Sequence, residues 1–339
     1  MSEQILEVNQ LHVTFKTYGG EVQAVRGVSF SLAQGETLAI VGESGCGKSV
    51  TAQSIMRLIP EPPGRITSGS IIYKGKDLTK LSDRQMRNIR GPEIAMIFQD
   101  SMTSLNPTIK VGEQLIEGLT KHRPVSRKEA RAEAVKYMQL VGIPYPEERL
   151  KQYPHQFSGG MRQRLMIAMA LITQPSILIA DEPTTALDVT IQAQIIELFK
   201  QIQAETGVSI IMITHDLGVV AQIADRVSVM YAGKIVESGS VKDIFKHPQH
   251  PYTKGLLQSI PRLDQSRHKP LIPIPGTPPD LFAPPPGCPF VDRCPYALEV
   301  CKHYEPPVTD VTRSHRVSCW LQDERAKPLI TIKGGGAIS

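Results

Sequence analysis

Short, nearly continuous apolar runs alternate with amphipathic segments up to about residue 240. Three of these runs, at 36–45, 176–182 and 208–216, end in glycine, acidic or other polar residues. Apolar runs without alternation are typical of strands buried on both faces, as in a parallel sheet covered by helices. The pattern therefore predicts an α/β fold for this part of the chain.

One amphipathic segment, at 126–143, carries both a start and a stop signal for a helix. Ser126 and Glu129 have the spacing of a capping box. Apolar residues then recur at helical spacing on one face until Gly142, a residue type that commonly ends helices. The spacing predicts one helix over this segment.

The pattern changes after the segment YAGKIVESGS at 231–240. Of the 27 prolines in the chain, 13 lie between Pro261 and Pro307. Proline lacks a backbone donor and has a restricted φ, which excludes long helices and regular sheet from this region. The sequence predicts two units, 1–255 and 256–339, of which the second is small and rich in loops.

The composition of the 339 residues, with 41% hydrophobic and 21% charged residues, is ordinary for a globular protein. No apolar run approaches the roughly 20 residues that span a bilayer. The first residues lack the charged and apolar regions of a signal peptide, so we expect a cytoplasmic protein. The net charge of +5 is small and its basic residues are scattered, which does not favour nucleic acid as a partner.

The segment GESGCGKS at 42–49 fits the pattern G-x-x-x-x-G-K-[ST] and lies between a predicted strand and a predicted helix. Backbone N–H groups of such a loop and the helix N-terminus bind phosphates. Lys48 is expected to reach the β- and γ-phosphates and the Ser49 hydroxyl to ligate Mg²⁺. Cys46 is interpreted as a space-filling residue. The expected nucleotide contacts are Gly42, Ser44, Gly45, Cys46, Gly47, Lys48, Ser49 and Val50.

Two acidic residues lie at the end of the apolar strand at 177–181. Asp181 at the strand end is expected to hold Mg²⁺ through water. Glu182 is placed to polarise a water molecule for attack on the γ-phosphate. Together with the phosphate loop, this pair predicts a nucleotide triphosphatase whose general base is Glu182.

Four more motifs follow in order: FQD with Gln99, FSGGMRQR at 157–164, TTALD with Asp188, and MITHD with His215. In this combination the chain resembles the ATP-binding subunits of ABC transporters, over at least residues 5–240. The resemblance implies a P-loop NTPase (RecA-like) core, an antiparallel β-subdomain and a helical signature subdomain. The helical subdomain is expected at about residues 100–160, and a small Pro/Cys-rich lobe ends the chain.

The resemblance also implies a site shared between two subunits. Ser158, Gly159 and Gly160 resemble the signature motif, which contacts the γ-phosphate of the ATP held by the opposite subunit. Asp188 matches the D-loop of the same shared site. Met161 departs from the glutamine common in the family, so the sequence lacks one polar group at this position.

Three further roles are implied by the resemblance. Gln99 is similar to the Q-loop residue that links Mg²⁺ and water to the membrane subunit, and His215 to the switch histidine that acts with Glu182 in catalysis. Tyr18 is expected to stack on adenine, with Phe15 as the alternative.

Segments 98–108, 247–257 and 276–294 narrow the resemblance to the oligopeptide/dipeptide permease ATPases. This branch implies a second ABC ATPase subunit in a heterodimer, with a homodimer not excluded, two transmembrane permease subunits and an extracytoplasmic peptide-binding protein. The chain would lie peripherally on the cytoplasmic face of the cell membrane. His247 and His250 have H-x-x-H spacing, but we interpret their segment as docking the tail on the core.

Two other functions are alternatives to peptide import. The same importer role could serve nickel, glutathione or an oligosaccharide, because the chain does not touch the cargo. An ABC ATPase acting on nucleic acid would differ more, and the second cassette, coiled-coil insertions or strongly basic arms typical of that class are not visible in the sequence.

Four of the five cysteines, Cys288, Cys294, Cys301 and Cys319, are spaced C-x5-C-x6-C-x17-C. In a reducing compartment, a metal site or a reactive group is favoured over disulfides. Four thiolates suit zinc or an iron–sulfur cluster, and the absence of a tight C-x2–4-C pair favours the cluster.

The peptide-permease branch implies a [4Fe–4S] cluster at these cysteines, with Zn²⁺ as the alternative and unligated thiols as a third state. His303 and His315 are neighbouring alternative ligands. We expect the metal to stabilise the lobe, because a small proline-rich lobe has little core of its own.

Overall fold

The computed structural model describes residues 3–99, 104–185, 187–259 and 273–326. Two sheets organise the fold. The strands are β1 (Gln4–Thr17), β2 (Gly20–Ala33), β3 (Thr37–Val41), β4 (Gly64–Tyr73), β5 (Lys76–Asp77), β6 (Ile94–Ile97), β7 (Ile177–Asp181), β8 (Ser209–Thr214), β9 (Arg226–Tyr231), β10 (Lys234–Ser240), β11 (Val308–Asp310) and β12 (Arg316–Ser318).

Helices lie against both sheets and form a separate helical layer. They are α1 (Lys48–Ile55), α2 (Asp83–Arg87), α3 (Val111–His122), α4 (Arg127–Leu140), α5 (Pro146–Arg149), α6 (Gly159–Leu171), α7 (Val189–Thr206), α8 (Leu217–Ile223), α9 (Val241–Lys246), α10 (Pro251–Gln258) and α11 (Val300–His303). Within the described ranges, no helix is both long enough and apolar enough to span a membrane.

The large sheet has the strand order β11-β12-β10-β9-β3-β8-β7-β6. Its strands β9, β3, β8, β7 and β6 run parallel, and every residue of β3, β7 and β8 is buried. Parallel strands buried on both faces read as continuous apolar runs. The three buried strands predicted from the apolar runs are confirmed as β3, β7 and β8.

The second sheet is antiparallel, with the order β2-β1-β4-β5. Its apolar face shares one core cluster with α1 and with residues of β3 and β7, through side chains such as Leu6, Ile40 and Ile55. This sheet is the antiparallel subdomain expected from the sequence, and it packs beside the loop that joins β3 to α1.

The helical layer consists of α3 to α6, and the apolar faces of α3, α4 and α6 share a core cluster with β7 and β8. α4 begins as predicted: the Ser126 hydroxyl accepts from the Glu129 N–H, and the Glu129 carboxylate accepts from the Ser126 N–H. The last helical residue is Leu140, and Gly142 follows at φ +72°. α6 extends beyond the expected limit of about residue 160, because it carries its apolar residues back to the core sheet.

The C-terminal lobe, residues 273–326, is built from short elements, as its prolines predict. It nevertheless continues the core: β12 pairs with β10, which adds β11 and β12 to the large sheet. Phe290 of the lobe shares a core cluster with Val41 of β3 and Tyr231 of β9. Because the lobe and the sheet bury the same side chains, the lobe is packed on the first unit.

The predicted division at 255/256 falls within α10 and remains a prediction. α10 places its buried side chains in the same cluster that joins the lobe to β3 and β9. The stretches 260–272 and 327–339 of the predicted second unit lie outside the described residues.

Candidate functional site

The loop between β3 and α1 is tightly packed at two glycines. Gly42 has φ +154° and Gly47 has φ +102°. A Cβ atom on Gly42 would lie 2.1 Å from Met230 O, and one on Gly47 would lie 2.4 Å from Ala24 O. Only glycine fits at these two positions, and this allows the loop to curl around the end of the sheet.

Lys48 lies inside this curled loop. Its Nζ donates to the carbonyls of Gly42 and Glu43, each at 2.9 Å, and lies 3.9 Å from Cys46 Sγ. Burial raises the pKa of Cys46, although Lys48 acts in the opposite direction. Cys46 is thus a buried neutral thiol, as its interpretation as a space-filling residue requires.

The remaining loop positions are more accessible. Ser44 and Gly45 are exposed, and Val50 on the first turn of α1 is half-buried. A Cβ atom on Gly45 would meet nothing within 4 Å. The outer side of the loop therefore has room for a ligand, whereas its inner side is filled by Lys48 and Cys46.

Ser49 and Asp181 are joined by a hydrogen bond. Ser49 Oγ donates to Asp181 Oδ1 at 3.0 Å, across 132 residues of sequence. Asp181 is 3% exposed, and burial raises its pKa while the Ser49 hydrogen bond opposes this shift. Hydroxyl and carboxylate oxygens are the hard donors that Mg²⁺ prefers. Two of the three predicted magnesium-site residues, Ser49 and Asp181, thus lie together.

Glu182 accepts hydrogen bonds from two other loops and from its own turn. Gln99 Nε2 lies 2.8 Å and Thr185 Oγ1 3.0 Å from Glu182 Oε2, and His215 Nδ1 lies 3.3 Å from Glu182 Oε1. Glu182 has φ +48°, a conformation that is strained for a residue with a side chain. The predicted residues Gln99 and His215 therefore converge on the predicted base.

The surroundings keep this carboxyl group ionised. Burial acts to raise the pKa of Glu182, but hydrogen bonds from Thr185 and His215 outweigh burial and lower it. A partly buried carboxylate that still reaches solvent can accept a proton from water. Thr185 was not identified from the sequence; its only signal is a hydroxyl three residues after Glu182 in the run EPTT.

The signature segment and the D-loop lie side by side at two helix N-termini. Ser158 caps α6 by accepting from the Met161 N–H at 3.3 Å, and Asp188 caps α7 by accepting from the Ile191 N–H at 2.9 Å. A Cβ atom on Gly160 would lie 2.9 Å from Ile191 Cγ2. The close contact requires a glycine, and it holds the two N-termini together.

Gly159, which precedes that close contact, is open. A Cβ atom placed on it would meet nothing within 4 Å. Together with the exposed hydroxyl-bearing residue Ser158, it leaves the N-terminus of α6 accessible.

The two aromatic candidates for adenine stacking differ in environment. Phe15 is half-buried and packs at Gly64, where a Cβ atom would lie 2.7 Å from Phe15 Cε1. Tyr18 is fully exposed in the turn between β1 and β2. Phe15 is thus occupied by core packing, whereas the Tyr18 ring is accessible to a ligand. The assignment of Tyr18 remains a prediction.

The four C-terminal cysteines lie near one another. Cys288, Cys301 and Cys319 are buried, Cys294 is half-buried, and none of them forms a disulfide. The Cys288 N–H donates to Cys301 O at 2.8 Å. Burial, together with the neighbouring cysteines, raises the pKa of Cys288 and of Cys319 to about 12. The Cys288 and Cys319 thiols are therefore neutral in this arrangement.

No group of three or more His, Cys, Asp or Glu side chains within 3–99, 104–185, 187–259 and 273–326 is arranged to hold a metal ion. Among the described residues, the arrangement therefore supports neither the expected [4Fe–4S] cluster nor the zinc alternative. His315 Nε2 lies 2.7 Å from Glu237 Oε1, and His303 Nε2 lies 3.3 Å from Glu299 Oε1. Both histidines thus have other partners.

His250 of the H-x-x-H pair has a structural role in this fold. His250 caps α10, and its Nδ1 accepts from the Tyr252 N–H at 3.0 Å. Burial lowers the pKa of His250 to about 3. The Tyr252 hydroxyl in turn accepts from the Glu43 N–H at 2.8 Å. The segment therefore docks on the phosphate loop, in agreement with the interpretation from sequence.

Comparison with protein families gives two matches along the chain. Residues 25–185 match the model described as "ABC transporter". Residues 236–301 match the model described as "Oligopeptide/dipeptide transporter, C-terminal region". The second match covers α10, most of the described part of the proline-rich segment and three of the four C-terminal cysteines.

Curated relatives align over nearly the whole chain. The chain is 66% identical over 325 residues to "Dipeptide transport ATP-binding protein DppD" of Bacillus subtilis, covering 96% of this chain and 97% of the relative. It is 61% identical over 318 residues to "Oligopeptide transport ATP-binding protein OppD" of the same organism, covering 94% and 89%.

Solved structures with the same fold include the dimeric ATP-binding cassette MJ0796 in a post-hydrolysis state bound to ADP and Pi. It has a TM-score of 0.62 and 27% identity, and the match covers 70% of this chain and 98% of that one. A second is cbiO1 of Clostridium perfringens, part of an ABC transporter complex, with a TM-score of 0.63, 28% identity and coverage of 73% and 92%.

Proposed function

Because this chain belongs to the ABC transporter ATP-binding family and is an ATPase, we propose that it energises the import of peptides through partner membrane subunits. Its relatives carry the names of dipeptide and oligopeptide transport ATP-binding proteins. The main support for the catalytic part of this proposal is that Gln99, Thr185 and His215 all contact the Glu182 carboxylate.

ATP binds with its phosphates along the loop 42–49. In the structure, carbonyl oxygens of the loop accept from the Lys48 ammonium. The β- and γ-phosphates replace these carbonyls as partners of Lys48, while the N-terminus of α1 and the backbone N–H groups bind the remaining phosphate oxygens. The Tyr18 ring stacks on adenine.

The residues at this position fit a magnesium ion. Ser49 supplies a hydroxyl, Asp181 a buried carboxylate and Gln99 an amide oxygen, which are donor types that Mg²⁺ prefers. When bound, the ion supplies positive charge that offsets the charge of the phosphates. Ser49 and Gln99 would hold it directly, and Asp181 would hold it through water.

Glu182 acts as the general base. Its ionised carboxylate accepts the proton of a water molecule as that water attacks the γ-phosphorus. The breaking bond is the one between the γ-phosphorus and the bridging oxygen, and the products are ADP and phosphate. His215 remains beside Glu182 and donates to the γ-phosphate, while Thr185 keeps the carboxylate oriented.

Two cassettes close around ATP. Ser158, Gly159, Gly160 and Asp188 lie at exposed or half-buried helix N-termini, where they are available to the nucleotide of an opposite subunit. Loss of the γ-phosphate removes contacts that hold the two subunits together. The partner is a second ABC ATPase subunit or a second copy of this chain.

The ATPase pair lies beneath two transmembrane permease subunits, peripherally on the cytoplasmic face of the membrane, with an extracytoplasmic peptide-binding protein delivering the cargo. Opening and closing of the pair drives the conformational change of the permeases. The match of residues 236–301 to the oligopeptide/dipeptide C-terminal region supports this assembly over other ABC importers.

A [4Fe–4S] cluster at Cys288, Cys294, Cys301 and Cys319 is part of this proposal. The four thiols are neighbours in one lobe and three are buried. Their sequence spacing, which has no C-x2–4-C pair, suits a cluster better than a zinc ion. The cluster would cross-link segments that otherwise have little regular structure. These residues hold no position in the hydrolytic site, so their role is structural.

Peptide uptake tests the proposed function. Cells that lack the gene are supplied with the native chain or with Glu182→Gln, and uptake of a labelled dipeptide is measured. Native chain restores uptake and the variant does not. Restoration of nickel, glutathione or oligosaccharide uptake instead, without peptide uptake, overturns the peptide assignment while leaving the ATPase assignment intact.

A further inference from the structure

Arg293, which lies beside the cysteine site, has an acceptor for each of its five N–H donors. Two acceptors are the carboxylate oxygens of Glu43, at 2.6 and 3.0 Å. The others are the Tyr231 hydroxyl at 3.2 Å, Pro275 O at 2.8 Å and Ile274 O at 3.3 Å. All hydrogen-bond donors of this guanidinium are therefore paired, which fixes both its position and its orientation.

The burial of this cation makes its partner essential. The Arg293 side chain is 4% exposed and stacks against the rings of Tyr231 and Phe290, with centroid distances of 5.7 and 5.9 Å. Hydrogen bonding to Glu43 raises the pKa of Arg293 and outweighs the effect of burial. A buried charge is tolerated only when it is paired, so this contact differs from a surface ion pair.

Glu43 belongs to the phosphate-binding loop, and three of its groups are engaged. Its carboxylate binds Arg293, and its N–H donates to the Tyr252 hydroxyl of α10. Its carbonyl accepts from Lys48 Nζ at 2.9 Å. One loop residue is thus held by two C-terminal groups and itself contacts the lysine expected to bind phosphate.

We infer that Arg293 is a positioning residue for the ATP-binding loop, so that ATP affinity depends on docking of the C-terminal lobe. A loop that is already held in its binding conformation loses less conformational entropy on binding. Arg293 supplies this constraint from 250 residues away in sequence. The inference rests on the ATPase activity and not on the identity of the cargo.

The coupling works in both directions. If docking of the lobe favours ATP binding, then ATP binding favours docking by the same factor. Bound ATP is therefore expected to slow amide hydrogen exchange in residues 288–304, although these residues do not contact the nucleotide. Such protection distinguishes coupling from a lobe that only stabilises the fold.

A double-mutant cycle on the full chain tests the positioning role. Arg293→Gln and Glu43→Gln are each expected to weaken ATP binding by about tenfold, with kcat at saturating ATP within about twofold of the native value. The double variant is expected to be little worse than either single one, because both remove the same contact. Dissociation constants come from a fluorescent ATP analogue and KM from phosphate release.

Two further variants give the matched controls. Arg293→Lys keeps the charge but lacks the planar fork, and its ATP affinity is expected to lie between those of the native chain and Arg293→Gln. Arg316→Gln removes an arginine of the same lobe whose ion pair with Asp310 is exposed. Its ATP affinity is expected to equal that of the native chain.

Three results would overturn the inference. One is a folded Arg293→Gln chain that binds ATP with native affinity. Another is an Arg293→Gln chain with lower thermal stability but unchanged ATP affinity, because this would show a structural role only. The third is amide hydrogen exchange of residues 288–304 that does not change when ATP is added to the native chain. If Arg293→Gln does not fold, Glu43→Gln decides alone, and native ATP affinity in that variant rejects the positioning role.

Discussion

Gln99 and Glu182 are 83 residues apart in the chain and are joined by a hydrogen bond of 2.8 Å between Gln99 Nε2 and Glu182 Oε2. Gln99 follows β6 at the edge of the sheet, and Glu182 follows β7 next to it. The chain after Gln99 leads into the helical layer that begins with α3. The position of this layer is therefore linked to the proposed catalytic carboxylate through one side-chain contact.

Glu182→Gln is expected to lower kcat by about a thousandfold, because an amide cannot accept the proton of the attacking water. ATP affinity is expected to stay within about threefold of the native value, since the variant preserves shape. Phosphate release and nucleotide binding measure the two quantities. Glu197→Gln, on the exposed face of α7, is the control and should hydrolyse ATP normally. Near-native turnover of Glu182→Gln would reject the base.

Thr185→Val is expected to raise the pKa of Glu182. Burial acts to raise this pKa, and the Thr185 hydrogen bond is the first of the contacts that oppose it. In the native chain the carboxylate form is favoured, and this contribution to stability is lost as the pH falls through the lowered pKa. Carbon-13 NMR of the Glu182 carboxyl measures the shift. Thr120→Val is the control, because the Thr120 hydroxyl donates to Ile116 O, and it should leave the titration of Glu182 unchanged.

Tyr18→Ala and Phe15→Ala are expected to have different effects. Loss of the exposed Tyr18 ring removes a stacking partner and should weaken ATP binding about fivefold without changing stability. Loss of the half-buried Phe15 ring should lower the free energy of unfolding by about 2 kcal/mol. Nucleotide binding and denaturant unfolding separate the two. Weaker ATP binding in Phe15→Ala, with unchanged binding in Tyr18→Ala, would make Phe15 the adenine-stacking residue.

His315→Ala is expected to lower the free energy of unfolding by about 3 kcal/mol, because it leaves the fully buried Glu237 without its ring partner. The backbone N–H groups of Gln249 and His250 still donate to the Glu237 carboxylate in this variant. Denaturant unfolding measures the loss. His303→Ala is the matched control, since its contact with Glu299 is exposed. Equal stability of the two variants would show that the buried pair contributes nothing.

Iron and acid-labile sulfide are expected in the chain after anaerobic purification. Cys301→Ser should lose both, because the cluster needs four thiolates. Cys46→Ser is the control and should retain them, since Cys46 lies beside Lys48 in the phosphate loop and is not one of the four C-terminal cysteines. Stoichiometric zinc in place of iron would reject the cluster and support a zinc site at these cysteines. Four thiols that titrate with no bound metal would reject both.

The sequence was sufficient for the parts of the site that lie in short contiguous motifs. The phosphate loop at 42–49 needs glycines at set positions, and the close approach of Gly42 to Met230 O and of Gly47 to Ala24 O shows why. The buried strands and the capped helix α4 were predicted for the same reason, because their hydrophobic period and capping residues are local properties of the chain.

Tertiary structure alone decided the contacts between distant segments. Neither Arg293 nor Glu43 stands out in the sequence, and their ion pair exists because the lobe packs against β3 and β9. The pairing of β12 with β10 likewise adds strands of the small, loop-rich unit to the central sheet. Motifs are local and can be read along the chain, whereas a buried charge acquires its partner only when folding brings both groups out of water.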